Sequence, residues 1–237
     1  DIGVTGVQTC ALPIWQHVEH LAQVFDRLRT AGLKLKPSKC HFLQEEVLYL
    51  GHVVTARGTF PDPEKVEAIL NMKPPETVRE VRSFIGMASF YRKYIENFSE
   101  IARPLTNLTK KNARFLWTEE TQGAFEVLRE KLTKAPILAY PDVNRPYGLF
   151  TDASLYAVGA VLTQEFPEGE RVIQYLSHQL SESQQKWPVI ECEAYAIVYA
   201  IQKLRHYLFG AKFTVYTDHK PLKSLFTTQF LNTKIQR

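Results

Sequence analysis

Cysteine is scarce in this chain. Its three residues in 237, Cys10, Cys40 and Cys192, are odd in number and have no CxxC spacing. That excludes a disulfide framework and a thiolate zinc site, and it points to a reducing compartment. No apolar run approaches the length of a membrane span, and the opening residues have neither the basic start nor the apolar block of a secretory leader. An excess of charge is missing too: 29 Lys and Arg stand against 25 Asp and Glu, a formal net of +4. Such a balance is compatible with a polyanion partner without demanding one. What is present is 45% apolar residues, enough to build the cores of one or two soluble globular domains.

Residues 1–14 show neither helical nor strand period and look like translated sequencing-adapter read-through, so the natural chain is expected to begin near Trp15. From Gln16 onward, Val18, Leu21, Val24, Phe25 and Leu28 recur at helical spacing, with Gly32 as a stop. A short strand is expected at 33–36, and a hairpin from 47–54 to Thr59 and Phe60 across Ala56, Arg57 and Gly58. Cys40, His41 and His52 fit no four-ligand zinc spacing. Asp62 followed by Pro63 opens a helix that should run to Pro74 and Pro75, and Thr77 with Glu80 forms a capping box. Behind that box Val78, Val81, Ile85 and Ala88 make an apolar stripe, while Arg79, Arg82, Arg92 and Lys93 lie on other faces. Those cations form either a solvated helix face or, with Phe90, Tyr91 and Tyr94 among them, a surface lying along a nucleic-acid backbone. Lys110, Lys111 and Arg114 add to the same basic tally.

Thr118 caps a further helix with Glu119 and Glu120 in its first turn and Phe125, Leu128 and Leu132 inside. A short strand is expected at 137–140, then a β-hairpin over 146–164, with a third strand at 171–177. Ser181 and Gln184 suggest a capped turn before a long helix at 189–208, and a strand at 212–217 follows Gly210.

Three acids stand out against this framework. Asp152 falls near the end of a strand expected to be buried, where a lone carboxylate needs a partner or a metal; the alternative is that it closes an Asx-type turn with Ser154. Glu193 shares a helical stripe with Ile197, Ala200 and Leu204, at the margin of the buried face, while Glu191 points elsewhere. Asp218 ends a strand, or else caps the segment after it. A strand-helix-strand crossover would bring all three to one edge. Three ionised carboxylates at about 4 Å repel by roughly 4 kcal/mol per pair at an effective dielectric near 20, a penalty that a divalent cation removes. Oxygen-only ligands favour Mg²⁺ or Mn²⁺ over zinc.

The motifs TDAS at Asp152, ECEAYAIVYAI around Glu193 and VYTDHKPL around Asp218 resemble the ribonuclease H domain of gypsy-type LTR retrotransposon polyproteins. Upstream, HVEHLAQVFDRLRTAGLKLKPSKCHF, YLGHVV, PDPEKVEAI and VREVRSFIGMASFYRKYIENFSEIARPL resemble the end of the reverse transcriptase palm, its primer-grip hairpin and the thumb. The resemblance implies an α+β chain. It would hold the palm end and primer grip at 15–61, a helical thumb at 62–110, a connection at 111–145 and a C-terminally truncated ribonuclease H-like mixed sheet at 146–237. It further implies an RNA-directed DNA polymerase with ribonuclease H, in which two Mg²⁺ or Mn²⁺ ions held by Asp152, Glu193 and Asp218 serve to cut the RNA strand of an RNA-DNA hybrid. Leu50, Gly51, His52, Arg79, Arg82, Arg92 and Lys93 are candidates to grip a duplex by its phosphates, and His219 and Lys220 are either phosphate contacts or solvated loop residues; the further partner that the resemblance implies is the rest of the Pol polyprotein. The setting implied is intracellular, a cytoplasmic virus-like particle or the nucleus. The chain contains no Asp-Asp pair, the core of that family's polymerase motif, and no candidate for its fourth acidic ligand before Arg237. The expectation is therefore a piece that does not polymerise DNA, with a non-catalytic nucleic-acid-binding remnant or an inactive pseudogene product as the alternatives.

Overall fold

A computed structural model describes residues 14–225. The segment read as non-native lies outside the described residues up to residue 13. Helix α1 (Ile14–Thr30) forms where the periodicity placed it and ends at Ala31 and Gly32, the glycine at φ 69°. No residue of α1 is buried, and Trp15, Val18 and Val24 are exposed. Residues 33–36 form no strand despite their alternation, since no strand among the described residues pairs with them.

The expected hairpin is a three-stranded antiparallel meander, β1 (Glu46–Tyr49), β2 (His52–Thr55) and β3 (Gly58–Pro61). The stretch 47–54, read as one strand, is folded back on itself at Leu50 and Gly51, whose φ of 48° and 76° suit the two-residue mirror-image turn of a hairpin. The Gly51 carbonyl accepts from the Tyr91 hydroxyl at 2.9 Å and from the Asp62 amide at 3.2 Å, which anchors this turn to the helices behind it.

Helix α2 (Pro63–Leu70) is capped by the Asp62 carboxylate, which accepts from the Glu64 amide at 3.0 Å. It ends at Leu70, ahead of the prolines expected to stop it. Helix α3 (Val78–Phe90) is capped by Thr77, but Glu80 reaches back to the Glu76 amide rather than to that of Thr77, so the capping box is shifted by one residue. The stripe of α3 is centred on Val81, Phe84 and Ala88, with Val78 and Ile85 at its half-buried margins. Tyr91 and Tyr94, read as candidates for nucleic-acid stacking, are core residues, 2% and 1% exposed. Short helices α4 (Phe98–Ile101) and α5 (Arg103–Leu108) lead to α6 (Glu119–Thr133), whose start is a reciprocal Thr118–Thr121 capping box. Phe84, Leu105, Phe125 and Leu128 are each fully buried in one core, against which Val172 and Tyr175 of the following sheet also pack.

Residues 137–140 make a single bridge, Leu138 to Thr59, rather than a strand. The mixed sheet that follows comprises β4 (Tyr147–Ala153), β5 (Ala157–Phe166) and β6 (Gly169–Gln179). Helix α7 (Val189–Lys203) crosses over to β7 (Phe213–Tyr216), which pairs parallel to β4. The strand order is β6-β5-β4-β7. The long helix expected over 189–208 breaks at Leu204, and residues Arg205–Leu208 continue it as α8. Leu149, Leu162, Ala200 and Leu204 lock α7 onto one face of the sheet. A last turn, α9 (Lys220–Leu225), closes the described chain.

Candidate metal centre

Parallel pairing of β4 with β7 sends both strands out at the same end of the sheet, and that is where Asp152 and Asp218 emerge. Glu193 comes to the same place from the start of α7. One oxygen from each of Asp152, Glu193 and Asp218 lies within 4.8 Å of the others, and among the described residues this is the single such group of three His, Cys, Asp or Glu side chains. The burial inverts the expectation: Asp152 is exposed, as is Asp218, whereas Glu193 is only 4% exposed. The reason is the pleat. Tyr147, Leu149 and Thr151 point into the core, so Asp152 faces out, while Glu193 sits on the inner stripe of a helix pressed against the sheet.

Burial, and then the negative charges of Asp152 and Asp218, push the Glu193 carboxyl up to about 7, with the Ala153 backbone amide pulling the other way. Glu193 Oε2 is buried without a hydrogen-bond partner among the described residues. A buried carboxylate with an orphaned oxygen, grouped with two exposed carboxylates, is what a cation site presents when its protein donors are all oxygen.

Both turn readings fail. Ser154 closes the hairpin turn itself, its hydroxyl oxygen accepting from the Tyr156 and Ala157 amides at 3.3 and 3.1 Å, without Asp152. The turn into α9 is closed by Thr217 Oγ1, which accepts from the His219 amide, and by the His219 carbonyl, which accepts from Leu222. His219 is half-buried and Lys220 exposed beside it. Cys192, next to Glu193, is buried, and its thiol is raised by that burial and by the neighbouring acids.

The basic residues do not form one surface. Arg79 is exposed, while Arg82 donates to the Thr109 carbonyl at 3.0 Å. Arg92 is tied into the fold, donating to the Ser177 carbonyl at 2.6 Å and to Ser99 Oγ at 3.0 Å. Lys93 is half-buried 5.0 Å from the Tyr94 ring centre, and burial lowers its ammonium pKa. Leu50 is the exposed tip of its turn, and His52 stacks on Phe90 with ring centres 5.2 Å apart. Two residues near the hairpin escaped sequence reasoning: the Arg103 guanidinium lies 4.0 Å from the centre of the Tyr156 ring, a pairing over 53 positions that no local pattern announces.

Residues 117–215 match the family described as the RNase H-like domain found in reverse transcriptase. The chain is 38% identical over 233 residues to the Pol polyprotein of transposon opus from Drosophila melanogaster, covering 93% of this chain and 23% of that protein. It is equally identical over 234 residues to that of transposon gypsy from the same organism, covering 93% and 22%. Identity to the transposon Tf2-3 polyprotein of Schizosaccharomyces pombe is 33%, over 90% of this chain and 16% of the relative. The chain thus spans less than a quarter of the length of these relatives. Among solved structures, a foamy viral protease-reverse transcriptase in complex with RNA/DNA hybrid superposes with a TM-score of 0.75 at 26% identity, over 94% of this chain and 31% of that one. The complex of the same viral enzyme with dsDNA gives 0.75 at 27% identity, over 91% and 45%. Residues 117–215 therefore carry an RNase H-like domain of the kind found in reverse transcriptase, in a chain that is similar along nearly all of its length to retrotransposon Pol polyproteins.

Proposed function

We propose that this region hydrolyses the RNA strand of RNA-DNA hybrids, with Asp152, Glu193 and Asp218 holding two Mg²⁺ or Mn²⁺ ions. The observation that carries the reading is the gathering of one oxygen each from Asp152, Glu193 and Asp218 within 4.8 Å, on a Glu193 whose Oε2 is buried without a hydrogen-bond partner among the described residues. Such ions supply Lewis acidity to phosphodiester hydrolysis. The protein's own part is to gather and orient the acids. The Ala153 amide favours the ionised form of Glu193, the form that can act as a ligand. Ile197, one turn on from Glu193 along α7, is buried beside it. The foamy viral complexes with hybrid and with dsDNA support a duplex as the partner. The exposed Leu50 turn, Arg79 and Lys220 are the groups left free by the fold to meet its backbone.

The test pairs two measurements on a labelled hybrid: cleavage in Mn²⁺, and binding at several salt concentrations. The expected result is cleavage that Asp152→Asn abolishes while binding persists. Steeply salt-dependent binding with neither cleavage nor Mn²⁺ uptake would identify a non-catalytic remnant and overturn the proposal.

A further inference from the structure

Asp152 pairs with Gly159, and Gly159 pairs with Ser177, so the three occupy one row across β4, β5 and β6. Directly opposed residues send their side-chain directions to the same face of a sheet. The far end of this row is bolted to the helices before the sheet: buried Ser177 Oγ accepts from the Ser99 amide at 2.9 Å, and the Ser177 carbonyl accepts from Arg92 at 2.6 Å. At the middle of the row, a Cβ added to Gly159 would lie 2.9 Å from Asn97 Oδ1, so the Asn97 side chain rests against bare backbone one strand away from Asp152. Asn97 itself sits at φ 56°, a conformation asparagine tolerates better than most residues. Arg92, Asn97 and Ser99 all precede the RNase H-like match at residues 117–215.

Resting on the metal-holding reading above, we propose that Asn97, braced by Arg92 and Ser99, is a positioning residue for Asp152. Its contact with Gly159 sets the height of β5 and, through the Asp152–Gly159 pairing, that of the carboxylate on β4, and so the selectivity of the trio for small cations. A part of the chain outside the RNase H-like match thereby tunes that domain's metal site. Mg²⁺ requires near-ideal octahedral geometry at about 2.0–2.1 Å, whereas Ca²⁺ accepts six to eight ligands at about 2.3–2.6 Å. A displacement of a few tenths of an ångström in one ligand therefore penalises Mg²⁺ selectively.

The experiment measures Mg²⁺ and Ca²⁺ affinities of the full chain by competition with Mn²⁺. Gly159→Ala is expected to weaken Mg²⁺ about tenfold and Ca²⁺ less than about twofold, because only the smaller ion is intolerant of the shift. Asn97→Gly, which fits the positive φ, removes the contact and should lower the Mg²⁺ to Ca²⁺ ratio about threefold by the same geometric argument. The double variant, in which the new methyl occupies the vacated space, should return the ratio toward that of the parent. Equal losses for both ions, or an unchanged ratio in Asn97→Gly, would overturn the proposal, and the second holds even if Gly159→Ala does not fold. Asp152→Asn separates the two levels: if it leaves Mg²⁺ uptake intact, the metal reading itself is at fault.

Discussion

Replacing Glu193 by Gln should stabilise the metal-free protein, and by an amount that depends on pH. In the fold this carboxyl is raised from 4.5 to about 7, foremost by burial and then by Asp152 and Asp218. A raised acid holds a proton in the native state after the unfolded chain has lost it, so stability falls as pH rises from about 4.5 through about 7 and levels off above. At 1.36 kcal/mol per pKa unit, the displacement from 4.5 to about 7 corresponds to roughly 3 kcal/mol. Urea unfolding in a chelator should therefore show Glu193→Gln more stable than the parent by about 3 kcal/mol at pH 8, with the gap closing toward pH 4. Mg²⁺ at about a thousandfold its Kd should reverse the order at pH 8, since a ligand at that level adds about 4.1 kcal/mol to the protein that binds it. A gap that stays constant from pH 4 to pH 8, or a destabilised variant at pH 8 without metal, would refute the account of this site.

Gly58 has φ 139°, and a Cβ there would meet the Leu138 carbonyl oxygen at 2.0 Å, so Gly58→Ala should break the Thr59–Leu138 bridge and lower the chemical denaturation midpoint, a loss of about 1–3 kcal/mol. The His52 imidazole is lowered to about 4 by burial and then by Lys93, against an opposing pull from Asp62. Its folded value lies below the ordinary 6.5, so its contribution to stability is intact above about pH 6.5 and is lost as pH falls toward 4. Its ring signals in an NMR titration should keep the neutral form down to pH 5, and a midpoint at or above 6 would contradict the packing seen against Phe90, Tyr91 and Tyr94.

The acids were legible because each sits on an element with its own local period: alternation around Asp152, a helical stripe around Glu193, and a short strand ahead of Asp218. The same periods could not tell which of them is buried, since that depends on which sheet face α7 covers. The 47–54 stretch misled for a related reason: its turn is made by Leu50 and Gly51, and a leucine at positive φ carries no turn signal. Leu33 to Lys36 alternate as a strand would, yet strand pairing is a tertiary property and they have no partner strand among the described residues. Arg92 is the plainest case. Its charge suggested a phosphate, while the carbonyl it holds belongs to Ser177, 85 positions later.

Such long spans govern how the molecule assembles. The meander meets the segment ahead of the later sheet through Thr59 and Leu138, and the sheet itself through the Arg171 guanidinium on the Arg57 carbonyl, 114 positions apart. While the chain leaves the ribosome, the meander must wait for Leu138 and then Arg171 before these joints can close, and contacts so distant in sequence slow folding. Until then the strands of the meander remain open to mispairing, which makes synthesis, rather than the finished fold, the vulnerable stage for this region.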